Sequence, residues 1–447
     1  MTTDEEITLS IHGFGSQGEG VGYWNKKAIF VDGALPGETV RARLIEERHT
    51  HGFAKLLEIL QPSSDRVSPP CPLFGVCGGC QLMHLSYAKQ LEMKRERVLN
   101  AIQRIGKIDS CDVAPCIASP QPLSYRNKIQ LPVREGPILG LYAKSSHTII
   151  EVDECLIHCA LGEKVLKLLK PLLRDVSPYN PETGEGELRH VLIKSALHSQ
   201  EVLVVFVTTK KTPSPALKEA SLAILQRIPG VQGVVQNVQP SQGNTILGEA
   251  YHTLAGKPQI YETLCGLTFA ISAASFFQVN PLQAEHLYQF ALQSAEVKSH
   301  EVVVDAYCGV GTLALLFARS AKKVVGIECV PQAIQDAKEN AIRNQIKNSS
   351  FVCAKAERYM QNFEKIDLLL LNPPRKGCDP SLFKVLARVR PLKIIYISCD
   401  PATLARDLSV LEKIGYKIDL IQPFDMFPQT SHVETIAKLS LSWDNAY

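Results

Sequence analysis

Val302-Val303-Val304-Asp305-Ala306-Tyr307-Cys308-Gly309-Val310-Gly311-Thr312 decides the fold. Its β-branched run reads as a buried strand, and its two glycines turn the chain into a helix predicted over 311–320. Working outward, the alternation repeats. A helix over 281–295 precedes it, with Pro281 at the first turn. Strand 323–328, helix 331–345, strand Ile366–Leu371, helix 380–389 and strand 392–398 follow. Strands alternating with helices predict an α/β domain over 271–447, built on a mostly parallel, doubly wound sheet.

The N-terminal end reads differently. Ile7–Ile11, Ala28–Val31, Thr39–Ile45 and Ala54–Ile59 are short strands, with Gly13, Gly15, Gly18, Gly20, Gly22 and Pro36-Gly37 read as the turns between them. That rhythm predicts an OB-type β barrel over 1–63, although the spacing fits other small barrels too. Pro62-Ser63-Ser64-Asp65 is a linker. A helix is predicted over Leu85–Ile105. Residues 64–270 read as a central α+β domain, with strands at Val202–Val207 and Gly233–Val238 and a helix over Pro215–Gln226.

A chain of 447 residues, 45% hydrophobic and 21% charged, has room for two or three packed domains. No apolar run reaches transmembrane length and no signal-peptide pattern opens the chain, so a cytoplasmic, non-membrane protein is expected. The net charge of +3 is weak support for a polyanionic partner. Lys89, Lys94, Arg95, Arg97, Arg104 and Lys107 crowd one stretch, read here as a solvated helix face.

Thirteen cysteines argue against a disulfide framework in that compartment. Cys71, Cys77 and Cys80 stand apart from the rest, at C-x5-C-x2-C spacing with Gly78-Gly79 letting the backbone wrap closely. Cys155 and Cys159 are candidates for a fourth ligand. Four thiolates suit an iron–sulfur cluster, [4Fe-4S] being expected, or a structural zinc ion. The C-x3-C-x2-C spacing of radical S-adenosylmethionine enzymes is absent.

A lone G-x-G is a weak signal, and the third glycine of the dinucleotide fingerprint is missing. Its context is stronger: Glu328 ends the next strand, where a carboxylate can accept two ribose hydroxyls. No Gly-Lys-Ser/Thr follows, which disfavours ATP. S-adenosylmethionine fits a site with ribose recognition and no pyrophosphate cradle.

Two strand ends then supply reactive groups. Asn372-Pro373-Pro374-Arg375 follows one strand, Ser398-Cys399-Asp400-Pro401 follows the next, and Glu434 lies downstream. Taken singly, Cys399 reads as a buried strand-end thiol and Glu434 as a surface acid. Together, beside a methyl donor, they match one chemistry. Uracil C5 is a poor nucleophile until a thiolate adds to C6, and a carboxylate must then remove the C5 proton. Arg375 would orient Cys399 or raise its thiolate fraction.

These residues resemble the RNA uracil-5-methyltransferases, in particular the iron–sulfur-containing branch acting on 23S ribosomal RNA. The likeness runs over nearly the whole chain. Gly18-Glu19-Gly20-Val21-Gly22 and Val31–Glu38 resemble a TRAM barrel, and Ser398–Asp407 is the most specific stretch. The resemblance implies a Rossmann-like S-adenosylmethionine-dependent sheet, Cys399 as nucleophile and Glu434 as base. It implies Gln278, Tyr307, Thr312, Glu328 and Asn372 as cofactor contacts, and Phe276 near a flipped base. Cys155 becomes the fourth ligand beside Cys71, Cys77 and Cys80. RNA, 23S ribosomal RNA for preference, is the implied partner of a monomer. Two departures stand out: Asn372 where the family has aspartate, and Lys355 where it often has a polar or acidic cofactor contact. Tyr125 and Arg126 are read as RNA contacts or structural residues. Other readings remain open here: a transfer-RNA uracil methyltransferase, an amino-methyltransferase of the Asn-Pro-Pro type, or a non-catalytic RNA-binding protein.

Overall fold

The computed structural model describes residues 5–442 except 110, 135 and 137. Among them, β1 (Glu6–Phe14), β2 (Gly20–Trp24), β3 (Lys27–Asp32), β4 (Thr39–Glu47) and β5 (His51–Gln61) close a barrel in the order β1-β2-β3-β5-β4. Alternation fills it: Ile7, Leu9 and Ile11 point inward, with Val40, Ala42 and Leu44 from β4. Gly20 and Gly22, expected in turns, lie on β2 instead. A side chain at Gly22 would stand 2.4 Å from the Leu9 side chain, and one at Gly20 2.7 Å from the Ala34 carbonyl oxygen. Close approach between strands, not a turn, requires those glycines.

After α1 (Tyr87–Ala101) the chain builds β6 (Lys128–Arg134), β7 (Ile138–Tyr142), β8 (Ile149–Glu151), α2 (Ala160–Leu169), β9 (Leu188–Ala196), β10 (Glu201–Thr208), α3 (Pro215–Arg227), β11 (Val231–Val238) and β12 (Ala250–Gly256). They form a sheet in the order β12-β11-β10-β9-β6-β7-β8. Helices α2 and α3 cover one face; the hairpin β13 (Gln259–Leu264) and β14 (Leu267–Ser272) packs on the other. Covering on both sides explains why β10 reads as a continuous apolar run.

The C-terminal elements are α4 (Pro281–Ala295), β15 (Val302–Asp305), α5 (Thr312–Ala318), β16 (Lys323–Glu328), α6 (Pro331–Arg343), β17 (Ser349–Cys353), α7 (Ala356–Tyr359), β18 (Leu368–Leu371), α8 (Pro380–Val389), β19 (Lys393–Ser398), α9 (Pro401–Lys413), β20 (Tyr416–Phe424) and β21 (Glu434–Leu441). The sheet runs β17-β16-β15-β18-β19-β21-β20. Its first five strands are parallel, and β21 runs against both neighbours. Alternate residues feed two cores: Val303, Leu368, Leu370 and Ile395 pack with α4 and α5, while Val304, Leu369, Leu371 and Ile394 pack with α8 and α9. Strand order reverses between β15 and β18, so the crevice at their carboxyl ends is the place for a ligand.

Helix α1 joins this C-terminal core through Val98 and Ala101, ahead of a π turn at Ile102–Gly106. The segment after it adds to the edge of β20: Ala114 N–H donates to Ile421 O at 3.0 Å and Ile117 N–H to Pro423 O at 2.9 Å.

Candidate active site

Cys399 emerges from β19 just before α9, whose N-terminus is capped by Asp400 accepting from the Ala402 and Thr403 amides at 2.9 and 3.0 Å. Ser398 is the register partner of Thr435 across β19 and β21. Cys399 and Glu434 are the chain neighbours of that last pair, and the Glu434 charge reaches the Cys399 thiol. Glu434 is only 5% exposed, and burial pushes its carboxyl up to about 7. Burial and then the Glu434 charge push the Cys399 thiol up to about 11, while Arg375 pulls it down. Arg375 Nη2 lies 3.1 Å from His432 Nδ1. Burial and Arg375 hold His432 down at about 4, so at neutral pH its uncharged ring accepts that bond.

The loop 425–433 that delivers Glu434 is fastened from outside its own domain. Lys94, fully buried, pairs with Asp425 and donates to Phe427 O at 3.0 Å. Arg97 donates to Ser431 O, and Tyr87 Oη to Asp425 Oδ2 at 2.9 Å. The basic stretch is therefore a solvated face only in part: Arg104 and Lys107 stay exposed, but Lys94 and Arg97 are drawn in by carbonyl and carboxylate acceptors of a loop more than 300 residues away. Tyr125, 1% exposed, donates to Pro428 O at 3.1 Å, a structural task that excludes the RNA contact considered for it. The Gln81 and Leu82 amides donate to Gln429 O at 3.0 and 2.9 Å, which ties the cysteine segment to the same loop.

At the switch point, Gly309 and Gly311 have φ of 51° and 86°, the left-handed region that suits glycine. A side chain at Gly311 would meet Ala337 and Phe351 at 3.2 Å, so close packing of the turn on α6 and β17 asks for glycine there, while one at Gly309 would meet nothing within 4 Å. Glu328 Oε1 accepts from the Cys329 and Val330 amides at 2.7 and 3.0 Å, and the Cys329 thiol also bonds this carboxylate, which stands partly exposed at the end of β16. Thr312 opens α5, partly exposed. Gln278 Nε2 donates to Tyr288 Oη at 3.4 Å. Tyr288 is buried within reach of the charges of both Glu434 and Asp305. Asn372 leaves β18 partly exposed, while the Tyr307 hydroxyl is turned to the Cys378 thiol. Phe276, 74% exposed, rides on a loop held by Lys194, whose Nζ donates to Ser272, Ala273 and Ser275 carbonyls at 2.8 Å each.

Cys71, Cys77, Cys80 and Cys155 are all free thiols. Cys80 senses the charges of the other three, and after burial these push it up to about 12. The Gly79 amide donates to Cys77 Sγ at 3.4 Å, and burial pushes the Cys155 thiol up to about 11 against the opposing pull of the Ile157 and His158 amides. Cys159 is excluded from the set: it caps α2, accepting from Gly162. Among the described residues, no group of three or more His, Cys, Asp or Glu side chains is set to hold a metal ion.

Residues 263–441 match the family described as tRNA (Uracil-5-)-methyltransferase, and residues 2–57 match the TRAM domain. An uncharacterized RNA methyltransferase of Halalkalibacterium halodurans is 42% identical over 99% of this chain and 98% of its own. The chain belongs to the RNA uracil-5-methyltransferase family. A second relative, an uncharacterized RNA methyltransferase of Listeria monocytogenes, is 41% identical over 99% of both chains. Among solved structures, the Pyrococcus abyssi tRNA (uracil-54, C5)-methyltransferase in complex with S-adenosyl-L-homocysteine superposes with a TM-score of 0.77. It is 28% identical, over 97% of this chain and all of that one.

The RNA uracil-5-methyltransferase thus carries a Rossmann-like, S-adenosylmethionine-dependent sheet behind a TRAM barrel, and the open side of Gly309 and the partly exposed Glu328 carboxylate one strand over fit that cofactor. Several residues of its site escaped the sequence reading. Asp305 is fully buried and pushed up to about 7 by burial. An acid closing the strand before a glycine turn was the available signal. Tyr288, His432, Lys94 and Lys194 gave none, because each is defined by a distant partner.

Proposed function

We propose that this enzyme methylates C5 of a uridine in 23S ribosomal RNA through a covalent Cys399 adduct. The juxtaposition of Cys399 and Glu434 at the ligand edge carries the reading. Cys399, as thiolate, adds to C6 of the flipped uracil, its proton having left to solvent. Arg375 supports the thiolate against the Glu434 charge. S-adenosylmethionine, when bound, supplies an electrophilic methyl group, which the C5 enolate accepts. Glu434 then takes the C5 proton, the C6–S bond breaks, and Cys399 leaves as thiolate. Gln278, Thr312, Glu328 and Asn372 face the cofactor, Tyr307 lines its pocket, and Phe276 stacks near the base. The enzyme acts as a cytoplasmic monomer, with residues 1–63 and 64–270 recognising RNA and 271–447 performing the chemistry.

Cys71, Cys77, Cys80 and Cys155 are assigned to a [4Fe-4S] cluster. Cys71, Cys80 and Cys155 pack on one apolar cluster with Cys77 in electrostatic reach of Cys80, and amide donors toward Cys77 and Cys155 suit thiolate ligation. The C-x5-C-x2-C spacing alone suits a cluster or zinc, and the resemblance to the iron–sulfur-containing branch favours the cluster. Iron and sulfide content of anaerobically purified protein tests the assignment; stoichiometric zinc instead would reverse it.

Glu434→Gln tests the chemistry. The adduct should form but not resolve, so a protein–RNA species survives denaturing electrophoresis; full turnover would remove Glu434 from the mechanism. Mapping 5-methyluridine in a deletion strain tests the substrate. Loss from transfer RNA, with ribosomal RNA intact, would favour the second reading, to which the likeness to the Pyrococcus abyssi enzyme lends weight.

A further inference from the structure

A cleft of about 520 Å³ lies between α7 and α8, and neither Cys399 nor Glu434 lines it. Lys355, Arg358, Lys384 and Arg388 face it, against the single lining carboxylate of Glu357. All four cations are exposed. Several exposed cations elsewhere have a carboxylate partner: Lys27 with Glu47, Arg41 with Glu58, Arg48 with Glu46, Lys89 with Glu92. In the cleft, no described salt bridge engages any of the four. Arg388 donates to the Gln361 carbonyl at 2.7 Å; Asp379 at the mouth accepts from Ser381, at 3.0 Å from its amide and 2.6 Å from its hydroxyl, and feels the Lys355 charge, so two carboxylates in all face the four cations.

Packing does not require this arrangement. Helix α8 buries Leu382, Phe383, Val385, Leu386 and Val389, while Lys384 and Arg388 repel each other at i, i+4 on the open side. A bound polyanion would relieve that repulsion. One end of the cleft, at Lys355 and Ser381, lies near the reacting edge of the sheet, and α8 carries Lys384 and Arg388 away from it. Lys355 follows β17, whose Cys353 is the register partner of Glu328, and α8 follows the loop that carries Asn372 and Arg375.

We propose that this cleft holds the phosphate backbone of the substrate RNA outside the nucleotides at the active site. The inference rests on RNA being the substrate and goes beyond the catalytic reading. Guanidinium forks and an ammonium suit phosphate oxygens and carry no base code, so the cleft adds affinity and register without sequence preference.

The test is the salt dependence of binding to protein-free ribosomal RNA and, in parallel, to bulk transfer RNA. The Arg358→Ala/Lys384→Ala variant should flatten log K against log [KCl] by about 1 to 2. It should raise KM for RNA with kcat unchanged. Arg358→Lys/Lys384→Arg, which keeps both charges, should keep the slope. An unchanged slope in the alanine variant, or no binding of either RNA by the parent enzyme, overturns the proposal. Activity on transfer RNA alone would change the substrate assignment, while the slope on that RNA would still decide the cleft.

Discussion

A carboxyl enclosed as completely as that of Glu434 ionises reluctantly, and this single group sets two measurable properties. Its native value near 7 lies above its ordinary 4.5. The folded state therefore binds the extra proton between those values, so stability falls as pH rises from about 4.5 to 7 and is flat beyond. Glu434→Gln removes that cost. The variant should gain about 3 kcal/mol at pH 8 and nothing at pH 4.5, seen as a higher melting temperature only at the higher pH. The same substitution should make Cys399 more reactive, because a charge that raises its thiol is gone. Arg375→Ala should do the opposite. Alkylation rate by iodoacetamide against pH reads both shifts, and movement of either curve in the wrong direction would refute the assigned electrostatics. At Asn372, restoring the acid should tighten S-adenosylmethionine binding by titration calorimetry; an unchanged Kd would separate that side chain from the cofactor.

Among the elements, the long periodic ones were legible. Helices α4 and α8 and strand β16 run where the sequence placed them, because buried apolar faces and Pro-opened helix starts are local signals. Cys399 and Glu434 were named from sequence but could not be set side by side, since that needs the antiparallel pairing of β21 with β19. Strands β20 and β21 went unread: Tyr416–Phe424 mixes exposed polar and buried apolar residues without a clean period. Helix α1 misled in another way. Charge at Lys94 and Arg97 predicts water, and only the fold reveals acceptors at Asp425 and Ser431. Removing one member of the buried Lys94–Asp425 pair should be severe, about 3 to 5 kcal/mol by Lys94→Ala, because it leaves an uncompensated buried charge. Lys94→Met with Asp425→Leu should restore much of that stability in urea melts. Failure of the double variant to recover would mean the pair holds the loop by hydrogen bonds that hydrophobic packing does not replace.

Across the whole molecule, the order of residues along the chain and their grouping in space part company. Residues 87–117 precede the central sheet, yet their side chains and backbone complete the last one. Anyone wishing to isolate the catalytic half by cutting before β13 would discard the helix that neutralises Asp425 and the segment that borders β20. Such a fragment should be recovered as aggregate. Supplying residues 82–119 as a separate polypeptide should rescue its solubility, and a soluble, monodisperse fragment without that supplement would contradict the interdependence. Evolution faces the same arithmetic as the engineer: the methylating half cannot be shuffled onto a new RNA-binding partner as one contiguous block, so its targets must diversify by altering what is already attached.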